Sequence, residues 1–246
     1  MDKNFKVLGI GNAMVDILIH ATDSFLEMHS IKKGVMQLID LKRANYLYND
    51  FGTEKEVSGG SGANTIVGLA SLGVPTCYIG KVSDDQLGNK FRIDLNDMNV
   101  NYDTTFLETQ GSAETGRCIV FVTPDGERSM NTYLGVTEFL EATDIDPMKI
   151  SQTEWLYLEG YRFDGQKSEL AFAKAIDTAK NYGGRIALTL SDPFCIERNM
   201  QAFKNLISNG LDLLFCNELE LKLLCNTKNL EIAAQYISKS VPLFAC

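Results

Sequence analysis

Between residues 155 and 244, short apolar runs alternate with stretches whose apolar residues recur at helical spacing. No other feature limits the fold as strongly. Residues 155–158, 185–190, 211–216 and 241–244 read as strands. Residues 166–182, 197–208, 218–225 and 230–238 read as the helices between them, with Gly183-Gly184 and Gly210 as stops. Strands separated by whole helices return through crossovers rather than hairpins. The sequence therefore predicts a doubly wound, mostly parallel α/β sheet with helices on both faces. The N-terminal part carries the same signal, with strands at 7–10 and 76–80. A helix at 86–98 sets Leu87, Phe91, Leu95 and Met98 on one face.

Helical spacing disappears between residues 104 and 134. The run Cys118-Ile119-Val120-Phe121-Val122, the turn Pro124-Asp125-Gly126-Glu127 and a second strand at 128–133 form a β-hairpin. Residues 17–40 hold an apolar run at 17–19, a helical stretch at 23–28 and a strand at 34–39. We read the segments at about 17–40 and 104–134 as a small β lid on one α/β domain spanning 1–246. Residues 45–52 read as a helix end and a loop.

Composition narrows the function. A net charge of −9, from 23 basic and 32 acidic residues, speaks against a general nucleic-acid or membrane surface. It leaves room for a small anion held by backbone donors and a few placed cations. No apolar stretch reaches membrane-spanning length, and no basic-then-apolar leader opens the chain. The six cysteines form no CxxC pair, and several sit in apolar runs. This points to buried free thiols in a reducing, cytoplasmic setting rather than to disulfides or zinc. Two histidines, His20 and His29, make a histidine-based metal site a poor fit.

Ligands of open α/β sheets bind beyond the carboxyl ends of the strands. Asn12 with Asp16, Ser191-Asp192-Pro193, and Asn217-Glu218-Leu219-Glu220 all follow strands. A fourth candidate is the stretch 56–74. Gly59, Gly60 and Gly62 lead into Ile66, Leu69, Ala70 and Leu72, and Gly73 and Pro75 end the pattern. Such a turn brings backbone close to a ligand and aims helix N–H groups at it, with Ser61 and Asn64 as further polar groups. Taken by itself, such a stretch is more often a structural turn, here with Ser61 as helix cap. Asp16, read as the end of a turn, could grip two adjacent hydroxyls or be an ordinary turn residue. Asn217 and Glu220 fit a capping box, or a carboxylate holding Mg2+ through water beside phosphates. Arg128, just past the hairpin turn, could close over a phosphate or be a plain exposed strand residue. Gly9-x-Gly11 is half a dinucleotide fingerprint, but Met14 replaces its third glycine, which disfavours that reading.

Together these pieces resemble the PfkB, or ribokinase, family of carbohydrate and nucleoside kinases. The matching residues, in order, are Gly11-Asn12-Ala13-Met14-Val15-Asp16, Gly59-Gly60-Ser61-Gly62-Ala63-Asn64-Thr65, Ile79-Gly80-Lys81-Val82-Ser83-Asp84-Asp85-x-x-Gly88, Pro124-Asp125-Gly126-Glu127-Arg128-Ser129 and Asn217-x-x-Glu220. The texture of 11–17, 59–65 and 191–194 is closest to the adenosine kinase-like branch. The resemblance implies a ribokinase-like fold and ATP-dependent phosphorylation, with Mg2+, of a hydroxymethyl group on a nucleoside or sugar. It implies that Asn12, Asp16, Gly59, Gly60, Ser61 and Asn64 bind the substrate and that Arg128 on the lid approaches the phosphates. Asn217 and Glu220 would place Mg2+ indirectly. It also leaves the lid sheet as a surface through which two copies could pair.

Two departures stand out. Ser83 replaces a usual glycine. The family's Asp-x-x-Gly-Ala-Gly-Asp-type signature, which carries the catalytic base and an anion hole, does not occur in residues 1–246. The expectation is therefore a C-terminally incomplete kinase with impaired turnover and its base beyond Cys246. The alternative is a non-catalytic nucleoside- or sugar-binding remnant.

Overall fold

A computed structural model describes residues 3–52, 54–103, 113–163 and 165–246. The chain starts with β1 (Phe5–Ile10) and, after three residues, continues as β2 (Met14–His20). Then come α1 (Asp23–Met28), β3 (Met36–Leu38), α2 (Leu41–Asp50), β4 (Lys55–Gly59) and α3 (Ser61–Ser71). They are followed by β5 (Thr76–Ile79), α4 (Gln86–Asp97), β6 (Val100–Asn101), and the hairpin of β7 (Gly116–Val122) and β8 (Arg128–Tyr133). Next are α5 (Pro147–Ser151), β9 (Thr153–Glu159), α6 (Gln166–Asn181), β10 (Arg185–Thr189) and α7 (Pro193–Ser208). The last elements are β11 (Leu213–Phe215), α8 (Glu218–Leu224), α9 (Leu230–Ile237) and β12 (Leu243–Ala245).

Seven strands form one sheet in the order β12-β11-β10-β9-β1-β5-β6, and every neighbouring pair is parallel. Its inner strands are apolar along their length because both faces are covered. Leu8, Ile10, Leu156, Leu158, Ile186, Leu188 and Leu214 pack with Phe172, Phe203 and Ile196 in one core. Five strands form a second, mixed sheet in the order β3-β8-β7-β2-β4. In it β2 runs parallel to β7 and antiparallel to β4, and β3 runs parallel to β8.

Alternation along β2 and β7 divides this smaller sheet. Val15, Ile17, Ile19, Ile119 and Phe121 turn inward onto Ile66, Phe91 and Leu95. The opposite face holds Met14, Cys118 and Val120, with Val122, Met130 and Leu134 partly buried beside them. Asp16 pairs with Cys118 in register, so it shares that second face.

Several boundaries differ from the sequence reading. The glycine turn is preceded by a strand, β4, whose residues Lys-Glu-Val-Ser-Gly are too polar to show as one. Residues 41–50 form a whole helix, started by the Asp40 carboxylate accepting from the Arg43 N–H. Helix α7 begins at Pro193 rather than at 197, since proline suits a first helical position. Strand β2 begins at Met14, so Asp16 lies within a strand and not at the end of a turn. Residues 104–112 of the expected lid lie outside the described residues.

Candidate functional site

The site is built where β1 leaves the large sheet and crosses into the small one. Gly11, Asn12 and Ala13 make that crossing, and the β4–α3 turn lies against them. Gly60 takes φ 99° and ψ 133°, a backbone conformation that favours glycine. A Cβ there would sit 2.3 Å from the Asn12 carbonyl oxygen. Gly60, not Ser61, is the helix cap, and no side chain caps α3. Ser61 and Asn64 lie in its exposed first turn, where the Asn64 N–H donates to the Gly60 carbonyl at 2.9 Å.

Beneath both loops lies Glu159, the last residue of β9, which is 1% exposed. Its Oε2 accepts the backbone N–H of Asn12 at 3.1 Å and that of Gly62 at 2.9 Å. Its Oε1 accepts Asn12 Nδ2 at 3.2 Å. Gly11 and Gly62 are glycines for this reason, because their Cβ atoms would fall 2.1 and 2.6 Å from Oε2. Burial pushes the Glu159 carboxyl up to about 7, against the opposing pull of those hydrogen bonds and of the Arg162 charge. Asn12 is also tied elsewhere: the Thr137 hydroxyl donates to its Oδ1 at 3.2 Å, and the Tyr78 hydroxyl donates to its carbonyl at 2.8 Å. Sequence reasoning missed Glu159, Thr137 and Tyr78. For Glu159 a signal existed: one acid closing the apolar run 155–158, just before Gly160.

Asp16 has the opposite surroundings. Its carboxylate forms no hydrogen bond or ion pair among the described residues. It lies directly over Gly59, whose Cβ would come within 2.3 Å of the carboxyl carbon. Burial raises its pKa to about 6, while the Arg128 charge pulls it the other way. Register places Arg128 on the same sheet face, four residues from Thr132, which pairs with Cys118. The structure thus sets the Asn12 backbone against Gly60 and Asp16 over Gly59, with Ser61 and Asn64 exposed in the turn of helix that follows; the Asn12 side chain is taken up by Glu159 and Thr137, and Arg128 lies on the Asp16 face two strands away on β8.

Asn217 and Glu220 stand further along the same carboxyl edge. Strand β11 is three places from β1, about 14 Å at ~4.8 Å per strand. Their side chains are engaged with each other: Asn217 Oδ1 accepts the Glu220 N–H, and Glu220 accepts both the N–H and Nδ2 of Asn217. This is a complete capping box. Burial raises the Glu220 pKa against the pull of the hydrogen bond from the Asn217 N–H, and the like charge of Asp192 adds to the rise. Between the two ends, the Tyr161 backbone N–H donates to Ser191 Oγ at 3.3 Å, and Asp192 caps α7 through the Cys195 N–H. The carboxyl edge of the large sheet therefore carries a row of polar groups from Asn12 through Glu159 and Asp192 to Glu220, with Asp16 beyond it on β2 of the small sheet.

The pfkB family carbohydrate kinase model matches residues 35–242. Among solved structures, adenosine kinase from Sinorhizobium meliloti is 40% identical, with a TM-score of 0.89 over 98% of this chain and 74% of that one. Among curated proteins, guanosine-inosine kinase from Escherichia coli (strain K12) is 25% identical over 98% of this chain and 57% of its own length. A 5-dehydro-2-deoxygluconokinase from Clostridium botulinum (strain Eklund 17B / Type B) is 29% identical over 73% of this chain and 47% of its own. The chain thus spans roughly half the length of these curated relatives.

Proposed function

The chain belongs to the pfkB family of carbohydrate kinases, and on that premise we propose that it holds a nucleoside of the adenosine type for phosphorylation of its hydroxymethyl group by ATP. The observation that carries this reading is Asp16, a carboxylate without a hydrogen-bond or ion-pair partner among the described residues, over a glycine floor. A ribose diol offers two O–H donors at the spacing of one carboxylate, and an ionised acceptor binds them strongly. The apolar face around Asp16, with Met14, Cys118, Val120, Met130 and Leu134, favours a substrate that carries a base. A free sugar has hydroxyls on every side, which such a face would strip of water without replacing it. The likeness to adenosine and guanosine-inosine kinases supports the same choice.

In this reading the small sheet is the lid of a single domain, and Arg128 meets phosphate from it. Kinases of this family use ATP with Mg2+, which supplies charge neutralisation at the transferring phosphate. Asn217 and Glu220 suit an outer, water-mediated contact with that ion. Glu220 is an oxygen donor with a second carboxylate nearby, yet its oxygens already accept from Asn217. The described residues hold no cluster of three or more acid, histidine or cysteine groups fit to bind a metal directly. We assign the catalytic base to none of these residues, so the test is binding.

Calorimetry of this chain with adenosine, ribose and 5-dehydro-2-deoxygluconate separates the classes. Adenosine should bind, and ribose should bind at least about tenfold more weakly. Asp16→Asn should weaken adenosine by about 10- to 100-fold. Tighter binding of either sugar, or an unchanged Asp16→Asn protein, would defeat the proposal.

A further inference from the structure

Glu159 receives hydrogen bonds of two different kinds. Oε2 is met by two backbone N–H groups, those of Asn12 and Gly62, which can only donate. Oε1 is met by one side-chain amide, Asn12 Nδ2, which can turn round. A proton arriving on the carboxyl therefore has one place to go, Oε1. There it confronts the NH2 of Asn12, donor against donor. A flip of the Asn12 amide removes the conflict, because Oδ1 then accepts from the protonated carboxyl. The other end of the amide is equally adaptable. It faces the Thr137 hydroxyl, which now donates to Oδ1 and can instead accept from the NH2. The Ala13 N–H also reaches this hydroxyl at 3.3 Å, which leaves it a second lone pair.

We propose that Glu159 is a positioning residue whose proton sets the orientation of the Asn12 amide and, with it, how the 11–13 loop and the head of α3 meet a polar ligand. The ionised form pins both loops to one carboxylate through three bonds. The neutral form loosens its hold on the Asn12 and Gly62 N–H groups and turns the amide.

The groups facing Glu159 leave it as the one that changes charge near neutrality. Tyr78 from β5, Tyr157 from its own strand and Tyr161 from the following turn all have hydroxyls pushed upward by burial, so they stay neutral. Arg162 stays charged and donates to Ser168 Oγ at 2.7 Å. Burial places the Glu159 carboxyl at about 7, so both forms are populated at physiological pH.

The inference deepens the nucleoside reading, but its first test needs no ligand. The 13C shift of the Glu159 carboxyl and the 15N–1H shifts of the Gly62 N–H and the Asn12 side-chain NH2 are followed from about pH 5 to 9. All three should titrate together in the wild-type chain and also in Asp16→Asn. Glu159→Gln presents an NH2 where the proton would be, so its Asn12 signal should stay at the wild-type acidic position at every pH. Three results would each overturn the proposal: a Glu159 carboxyl that does not titrate in this range, a Gly62 step that persists in Glu159→Gln, or one that vanishes in Asp16→Asn. If Glu159→Gln does not fold, the wild-type carboxyl and amide signals decide alone. The second test is adenosine binding, which should weaken severalfold at the acid end in Asp16→Asn and lose that dependence when Glu159→Gln is added. Adenosine failing to bind at any pH, with the amide titration intact, would refute the nucleoside reading and leave this one standing.

Discussion

Replacing Gly59 by alanine tests the Asp16 grip without touching Asp16. The new methyl would lie 2.3 Å from Asp16 Cγ and Oδ1 and 2.5 Å from Oδ2, whereas 3.4 Å is an ordinary contact. The carboxylate must therefore retreat by about 1 Å, enough to stretch a hydrogen bond beyond useful length. Gly59 lies in a strand without positive φ, so the backbone accepts alanine. The overpacking cost of about 1–3 kcal/mol is partly offset by about 0.4–1 kcal/mol from a stiffer unfolded chain. A net loss of roughly 0.5–2 kcal/mol leaves a folded protein. Two charge-assisted bonds to a diol, lost together, are worth about 2–4 kcal/mol, or 30- to 1,000-fold in Kd. The assay is calorimetric titration with adenosine, with circular dichroism and urea melts as folding controls. Gly68→Ala is the matched control, because it lies on α3 with open space around its Cβ. It should raise stability by up to ~1 kcal/mol and leave affinity alone. The reasoning fails if folded Gly59→Ala binds adenosine like the wild type, or if Gly68→Ala weakens it equally.

Other consequences can be checked on the same chain. Glu159 and Asp16 are both acids with raised pKa, so the native state holds more protons than the unfolded one between about pH 4 and 7, and stability should fall as pH rises through that window. Glu159 alone accounts for about 3 kcal/mol of this fall, and urea melts of Glu159→Gln should show a flatter profile. Lys81 is buried against Asp144 at 2.8 Å and also donates to the Phe139 carbonyl, so Lys81→Met should cost about 3–5 kcal/mol, partly recovered by adding Asp144→Asn. Loss of the α8 cap in Asn217→Ala should destabilise by about 1–2 kcal/mol by urea melt and leave adenosine affinity unchanged. If Asn217 and Glu220 serve the phosphate side, the same variant should bind Mg-ATP more weakly by calorimetry; equal losses for both ligands would contradict that division.

How much of the site was legible depended on the kind of signal each residue leaves. Gly59, Gly60 and Gly62 announce a turn because glycine in that density has few other uses. Asp16 stands out in the sequence, with Asn12, as a polar group following the first strand, and it reads as the end of a turn because β2 starts only three residues after β1. Asn217 and Glu220 leave two readings open in the sequence, a capping box or a carboxylate placing Mg2+, and the capping geometry is what the i, i+3 spacing predicts. Glu159 was passed over because its importance lies in what it meets, namely two N–H groups from segments about 100 and 150 residues away.

The order of apolar and polar residues alone determined that this chain builds a helix-covered parallel sheet with a β appendage, since periodicity is a local property and burial follows from it. Strand order, the strand direction at β2–β7 and β3–β8, and the recruitment of the polar strand β4 were decided only in three dimensions. The same is true of the chemistry. A sequence states which groups are ionisable, but the burial that lifts Glu159 and the floor that frees Asp16 arise only when distant segments close over them.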